Sequence, residues 1–165
     1  MSLSQPILTE LKQESATTRK LFERLPQSAL SWKPHEKSMT LGHLAFHIAT
    51  LLRLLNFILL RDEYDAASNE LNLPEPDSVA GLLGMFDQAL ATASENLKQL
   101  PDERLAALWR FRFGEQIIME APRASAVRTV ILNHLIHHRG QLSVYLRLQN
   151  VPLPFIYGPT ADEGA

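Results

Sequence analysis

Four segments with the apolar spacing of α-helices, separated by three long connections, constrain the fold of this 165-residue chain. The predicted helices cover residues 4–25, 40–61, 77–100 and 124–149, with Ser38 or Thr40 capping the second and Asp77 or Ser78 the third. Since each helix has an apolar side to bury, the predicted fold class is all-α, a four-helix bundle. The connections are long enough to be crossovers, so parallel as well as antiparallel neighbours are allowed.

One segment between the third and fourth helices has strand character instead. Aromatic residues and arginines alternate over residues 108–113, and Gly114-Glu115 can turn the chain into a second apolar run. The bundle therefore has room for one short β-hairpin here. Residues 150–165 are proline-rich and are expected to form an extended tail, held on the body by Phe155, Ile156 and Tyr157.

The composition is that of a globular protein with a single domain, residues 1–165, in which 45% of residues are hydrophobic and 21% charged. Cysteine is absent, which excludes disulfides, thiolate zinc sites and cysteine nucleophiles and fits a cytoplasmic location. The formal net charge is -2 and there is no run of basic residues, so no nucleic-acid partner is expected.

A membrane location is not expected either. The first residues lack the basic and then apolar profile of a signal peptide. The most apolar run, residues 51–60, is too short to span a bilayer and is interrupted by Arg53 and Asn56. Because this run is apolar on nearly every side, we expect it to face both the core and a partner subunit.

Histidines occupy positions in the last helix where a bundle normally places leucine. His134 and His138 are four residues apart and so lie one turn apart on the apolar side of that helix. Burying imidazole rings costs free energy unless each ring has a partner, and one bound cation can be the partner of several rings. His47, on the core-facing side of the second helix, is the natural third ligand. Three histidines would leave coordination positions open for water or substrate, as in catalytic zinc sites.

The spacing alone leaves other ligand sets open. His137 lies three residues from His134, and His43 lies four residues before His47, so several triads are compatible with it. His35 falls in a connection and is expected to be exposed. Imidazole also suits nickel, iron, cobalt and manganese, and the histidines could instead be hydrogen-bonded without any metal.

Several common catalytic patterns are missing from the sequence. Leu135 and Ile136 stand where the helix of a zinc protease would carry its glutamate base. The sequence has no nucleophile-elbow, phosphate-loop or dinucleotide-binding glycine pattern, and no paired Glu-x-x-His signature of a di-iron bundle. No carboxylate is obviously placed as a general base.

Motifs along nearly the whole chain match those of one protein family. They are Trp32-Lys33-Pro34, Lys37-Ser38-Met39, residues 40–48, Ala121-Pro122-Arg123, residues 133–142, Tyr145-Leu146-Arg147, Val151-Pro152-Leu153-Pro154 and residues 157–163. With these motifs the chain resembles the DinB-like (YfiT-like) proteins. The His-x3-His-Arg-Gly-Gln block within residues 133–142 is the most specific part of the resemblance.

The resemblance implies a bundle with long crossover connections, frequent homodimers, and a divalent metal ion, zinc or nickel. In the family one ligand comes from the second helix and two from the last, which correspond here to His47, His134 and His138. Relatives often have Glu in a capping box at the position of His43. We therefore interpret His43 as an exposed helix residue, with a supporting role behind the ligands as the alternative.

The resemblance also suggests functions without fixing one. Related members include thiol S-transferases and a thiol-dependent maleylpyruvate isomerase, and the family name refers to damage-inducible expression. The first hypothesis is a metal-dependent transferase or hydrolase that acts on a small electrophilic substrate, with a low-molecular-weight thiol as candidate partner. The alternatives are a non-catalytic metal-binding stress-response protein and a bundle whose histidines bind no metal.

Four neighbouring residues complete the predictions, and none of them is assigned a catalytic role. Arg139 is expected to form an ion pair at the bundle surface, with binding of an anionic substrate as the alternative. Gln141 and Asn133 are candidates for orienting the ligand histidines through hydrogen bonds. Tyr145 is expected in the core.

Overall fold

The computed structural model describes residues 2–164 and confirms the predicted helical bundle. The long helices are α1 (Ser4–Phe22), α2 (Leu41–Leu60) and α3 (Val79–Gln99), followed by a short α4 (Asp102–Ala106). The last long helix, α5, runs without a break through three segments, Arg123–Ala126, Val127–Leu132 and Asn133–Leu148.

The ends of the helices follow local chemistry. The Thr40 hydroxyl accepts a hydrogen bond from the His43 backbone N–H at 3.1 Å, and the Ser78 hydroxyl accepts one from Gly81 at 3.2 Å. These contacts select one cap from each predicted pair. α1 ends before the predicted residue 25 because the backbone N–H groups of Arg24 and Leu25 reach back only three residues and tighten the last turn.

Consecutive helices α1 and α2 do not lie side by side in the bundle. α3 and α5 each pack against both of them, which places α1 and α2 on a diagonal. The connection between α1 and α2 therefore crosses the bundle, as the long crossovers of the prediction require.

α2 is the central helix, and thirteen of its 20 residues are buried. As a whole, α2 is long and apolar enough to cross a membrane by length and composition alone, although its most apolar run, residues 51–60, is too short to do so. Its apolar surface is covered by α3, α5 and the adjacent sheet. The composition of α2 is therefore explained by burial within the chain itself and no longer argues for a partner subunit.

A three-stranded sheet lies against one end of α2. Its strands are β1 (Glu63–Asp65), β2 (Leu108–Phe113) and β3 (Gln116–Pro122). β2 and β3 form the predicted antiparallel hairpin, which turns at Gly114 with a positive φ of 57°. β1 was not predicted; it pairs in parallel with β2 and places Tyr64 opposite Phe111.

Part of α5 is not α-helical. Val127–Leu132 form a π-helical segment, in which the Asn133 backbone N–H donates to the Arg128 carbonyl five residues earlier. Such segments are rare and frequently lie at functional sites. This one immediately precedes the histidine-containing part of the helix.

The C-terminal tail packs differently from the prediction. Pro154 is buried and Ile156 packs against the core, whereas Phe155 and Tyr157 are 44% and 65% exposed. Tyr157 holds the tail through its hydroxyl group, which donates to Glu14 of α1 at 2.7 Å, and through its ring, whose centroid lies 4.8 Å from the Arg139 guanidinium.

Candidate metal centre

Three histidine side chains from two helices converge at one point of the bundle. The Nε2 atom of His134 lies 2.8 Å from Nε2 of His138 and 3.3 Å from Nε2 of His47. Among the described residues, this is the group of histidine and carboxylate side chains placed to hold a metal ion. His138 is buried, and the other two rings are half-buried.

The backbone and an amide side chain orient the two rings of α5. The Nδ1 atom of His138 lies 2.7 Å from Oε1 of Gln141, one turn further along the helix. The backbone carbonyl of Val130, within the π-helical segment, offers a hydrogen-bond acceptor to the ring of His134. An amide oxygen only accepts, so Nδ1 of His138 carries the proton and its Nε2 keeps its lone pair.

This arrangement of protons fits a cation. When the protons are on the outer Nδ1 atoms, one cation at this point can accept the lone pairs of all three rings. Nitrogen atoms about 2.0–2.1 Å from one tetrahedral zinc ion would lie about 3.3 Å apart. The separation between His47 and His134 has this value, and the closer pair would have to open by about 0.5 Å.

Burial keeps the three rings neutral. It lowers the pKa of His47 to about 4, with a further contribution from the neighbouring His138, His134 and His43 rings. Burial also lowers the pKa of His134 and of His138. Since a metal ligand must be unprotonated, the site has little competition from protons at neutral pH.

A cavity of about 420 Å³ opens beside the triad, and His47 and His134 form part of its wall. One side of the cavity comes from successive turns of α2. The opposite side comes from Tyr64 of β1, Phe111 of β2, the connection that contains Leu71, and Val130 of α5. The small sheet therefore serves as a wall of this cavity.

The other histidines are not members of the triad. His43 lines the same cavity, but its Nδ1 contacts the carboxylate of Glu75, and its side chain is 45% exposed. His137 is exposed on α5, although its ring packs edge-on against that of His138 with centroids 4.8 Å apart, and His35 is exposed in its connection as expected. Half of the interpretation of His43 therefore holds: its side chain is partly exposed, but it also has a specific partner and faces the cavity.

Arg139 does not reach the cavity, although it follows His138 directly. Its side chain is 1% exposed and pairs with the Glu14 carboxylate at 2.6 Å, and the guanidinium also contacts the Tyr157 hydroxyl. The predicted ion pair is present, but the prediction of a surface position was wrong. The pair lies inside the protein and ties α5 to α1 and to the tail.

Of the two residues predicted to orient the ligand histidines, only Gln141 does so. Gln141 bonds His138, whereas Asn133 is exposed and its side chain makes no hydrogen bond within residues 2–164. Tyr145 packs edge-on against Trp32, in keeping with a core role. The contacts of His43 with Glu75 and of His134 with the Val130 carbonyl were not foreseen, because the sequence around Glu75 and Val130 carries no recognisable pattern.

The motifs and the geometry agree with a direct comparison of the sequence. The sequence model of the DinB family matches residues 1–165. The chain belongs to the DinB family. Two uncharacterized proteins of Bacillus subtilis are similar to the chain over most of their length. YrdA is 28% identical over an alignment that covers 92% of this chain and 86% of YrdA. YjoA is 26% identical over 94% of this chain and 97% of YjoA.

Solved structures of the family share the fold. A DinB-like protein from Bacillus cereus has a TM-score of 0.71 at 24% identity, covering 92% of this chain and 95% of its own. The structure of YjoA from Bacillus subtilis has a TM-score of 0.72 at 23% identity, and the match covers 92% of this chain and 97% of YjoA. At these identities the likeness extends to the DinB fold and no further.

Proposed function

We propose that this DinB protein binds one divalent metal ion through His47, His134 and His138 and is a metal-dependent enzyme. The observation that carries the proposal is the convergence of three Nε2 atoms at one point, with those of His138 and His47 2.8 and 3.3 Å from that of His134. The cavity beside them supplies room for a small substrate at the open side of the triad.

A bound divalent ion supplies Lewis acidity and makes a thiol or water a stronger nucleophile at neutral pH. The protein residues hold this ion and orient its ligands. Gln141 fixes the tautomer of the His138 ring, and the apolar cavity wall limits the access of water to the reacting atoms. No Asp or Glu lines the cavity among the described residues, so the chain offers no carboxylate base there.

The reaction we propose is transfer or hydrolysis at a small electrophilic substrate, with a low-molecular-weight thiol as the second substrate of a transferase. Resemblance to DinB-like thiol S-transferases supports the thiol, and zinc or nickel suits a set of three imidazoles. On the same resemblance we propose a homodimer. A cytoplasmic location is supported by the absence of cysteine.

The metal is tested by elemental analysis of protein purified without a histidine tag. We expect about one divalent ion per chain in the wild type and less than about a tenth of that in His134→Ala, because two remaining rings hold metal weakly. His137→Ala is the matched control, since His137 is exposed on the same helix. A wild-type content far below one per chain that His134→Ala leaves unchanged would exclude the site.

Catalysis is tested separately with the metal-loaded protein. Cellular low-molecular-weight thiols are supplied with 1-chloro-2,4-dinitrobenzene, and thioether formation is followed against chelator-treated protein. We expect metal-dependent turnover with at least one thiol. If every thiol reacts no faster than with the chelator-treated protein, transferase chemistry is wrong, and a protein that only binds metal accounts for the triad.

A further inference from the structure

The cavity beside the triad is almost entirely apolar, although the site itself is polar. Its 420 Å³ are lined mainly by aromatic and aliphatic side chains, including Phe46, Leu54, Leu71 and Phe111. No Lys, Arg, Asp or Glu occurs among the described residues of its lining. Away from the triad, a charged group in this cavity would lose its hydration without gaining a partner.

The few polar side chains of the wall are mostly engaged elsewhere. The Thr50 hydroxyl donates to the His47 carbonyl at 2.7 Å. The Tyr64 hydroxyl lies beside the Ser68 hydroxyl and the Leu71 backbone N–H, so its ring and not its oxygen is free to face the cavity. His43 is held by Glu75, and Asn72 lies exposed at the rim.

Two parallel aromatic rings form part of the wall. Tyr64 and Phe111 are stacked with an interplanar angle of 5° and ring centroids 6.0 Å apart. Both rings belong to the sheet that closes the bundle on this side. A planar apolar group can therefore lie between this wall and α2, within reach of His47 and His134.

We infer that the substrate bound in this cavity is a neutral molecule with an apolar, ring-containing body. Its one polar atom points to the triad, and any charged part stays outside the rim near Asn72. A cavity of about 150 Å³ holds a single benzene ring, so this one has room for roughly two to three rings. The inference rests on the proposed function in one respect, because it takes the triad as the end of the cavity at which the substrate reacts.

The test compares two probes that share one ring system. Titration of the full chain with 2-naphthol, which is neutral, and with naphthalene-2-sulfonate, which is an anion, is followed by NMR of leucine and valine methyl groups. We expect saturable shifts at Leu51, Leu54, Leu71 and Val130 for 2-naphthol, and at least tenfold weaker binding of the sulfonate. No saturable shift, shifts outside these methyl groups, or equal affinities would overturn the inference.

Two variants add an independent check. Leu71→Trp fills the cavity from the connection and should weaken 2-naphthol binding at least tenfold. Leu73→Trp places the same side chain two residues further on, outside the lining, and should change affinity less than twofold. Equal effects of the two would also overturn the inference. If Leu71→Trp does not fold, as judged by its methyl spectrum, the wild-type comparison alone decides.

The same titration on chelator-treated protein separates this inference from the proposed function. The apolar wall needs no metal, so 2-naphthol should still bind within threefold of its original affinity. Retained binding in a protein that proves to hold no metal would leave the cavity inference standing and remove the proposed function. Normal metal content without 2-naphthol binding would leave the proposed function standing and overturn the cavity inference.

Discussion

Gln141 holds the ring of His138 from behind the triad, through a hydrogen bond of 2.7 Å to Nδ1. Removing such a partner typically lowers metal affinity 10- to 100-fold, because the ring is no longer fixed in the tautomer and orientation that present its lone pair. We therefore expect Gln141→Ala to raise the Kd for zinc by a factor in this range, measured by competition with a chromogenic chelator, with the stoichiometry unchanged at saturation.

Asn133→Ala is the matched control for this prediction. Asn133 is also an amide on α5, but it is exposed and bonds no histidine. Its replacement should leave the Kd within about twofold. Equal affinities of Gln141→Ala and the wild type would show that packing alone orients His138.

The stability of the metal-free protein should fall as the pH falls from about 6.5 to 4. The pKa of His47 is lowered to about 4 in the folded chain, so in this window the unfolded chain binds more protons and protonation favours unfolding. His47 alone should remove about 2 kcal/mol of unfolding free energy between pH 7 and pH 5. The lowered pKa values of His134 and His138 add to the loss.

Urea unfolding of chelator-treated protein at pH 7 and pH 5 measures this loss. His47→Gln should lose less stability than the wild type over that range, since its titrating ring is gone. His35→Gln removes an exposed histidine and should keep the wild-type loss. If His47→Gln and the wild type lose the same free energy, His47 does not titrate as the burial of its ring implies.

At this scale the sequence was informative where a polar residue interrupts an apolar pattern. His47, His134 and His138 stand out for this reason, and the structure brings them together. Arg139 lies one residue further along the same helix, and its buried partner Glu14 is 125 positions away. Such a contact depends on the tertiary arrangement, so no local pattern could show that the pair is buried.

Among the elements, the junction of α2, α4 and α5 depends on one side chain. Arg123 is 0% exposed and donates to the carbonyl oxygens of Ile58 and Arg61, at the C-terminal end of α2, and to Asp62 at 2.9 Å. A further bond reaches the carbonyl of Arg104 in α4. The guanidinium therefore satisfies carbonyls that a helix end leaves without partners.

Arg123→Met should lower the free energy of unfolding by about 3–5 kcal/mol, because four acceptors around the buried guanidinium lose their donor together. Chemical denaturation measures the change. Arg110→Met is the control: Arg110 is on the neighbouring strand, and its ion pair with Glu120 is exposed, so its loss should cost less than about 1 kcal/mol. A loss below 1 kcal/mol for Arg123→Met would contradict this role.

The helices and the hairpin were predictable because their periodicity extends over many residues. β1 was not, because a strand of three residues shows no alternation and its partner lies 47 residues later in the chain. The π-helical segment also has no sequence signature, since its apolar residues recur as they would in an α-helix.

For the whole molecule, metal binding should raise the melting temperature. The ligands come from α2 and α5, which pack together only in the folded chain, so the metal binds the folded state preferentially. At a zinc concentration about 1,000 times the Kd, the gain is about 4 kcal/mol, or roughly 8–16 °C for a domain of this size.

Thermal unfolding of chelator-treated protein with and without added zinc measures this shift. In His134→Ala, zinc should raise the melting temperature by less than about 2 °C. In His137→Ala, the shift should match that of the wild type. A large shift in all three proteins would mean that zinc binds elsewhere on the chain.

The π-helical segment has a consequence for chain length. Residues 127–132 contain one residue more than an α-helical turn over the same path requires, and Arg128 and Thr129 there are exposed. A homologue that lacks one residue in this stretch can close the turn as ordinary α-helix and still present both histidines of α5 to α2. A single-residue gap at this place in an alignment is therefore compatible with an intact triad. A gap between residues 134 and 138 is not.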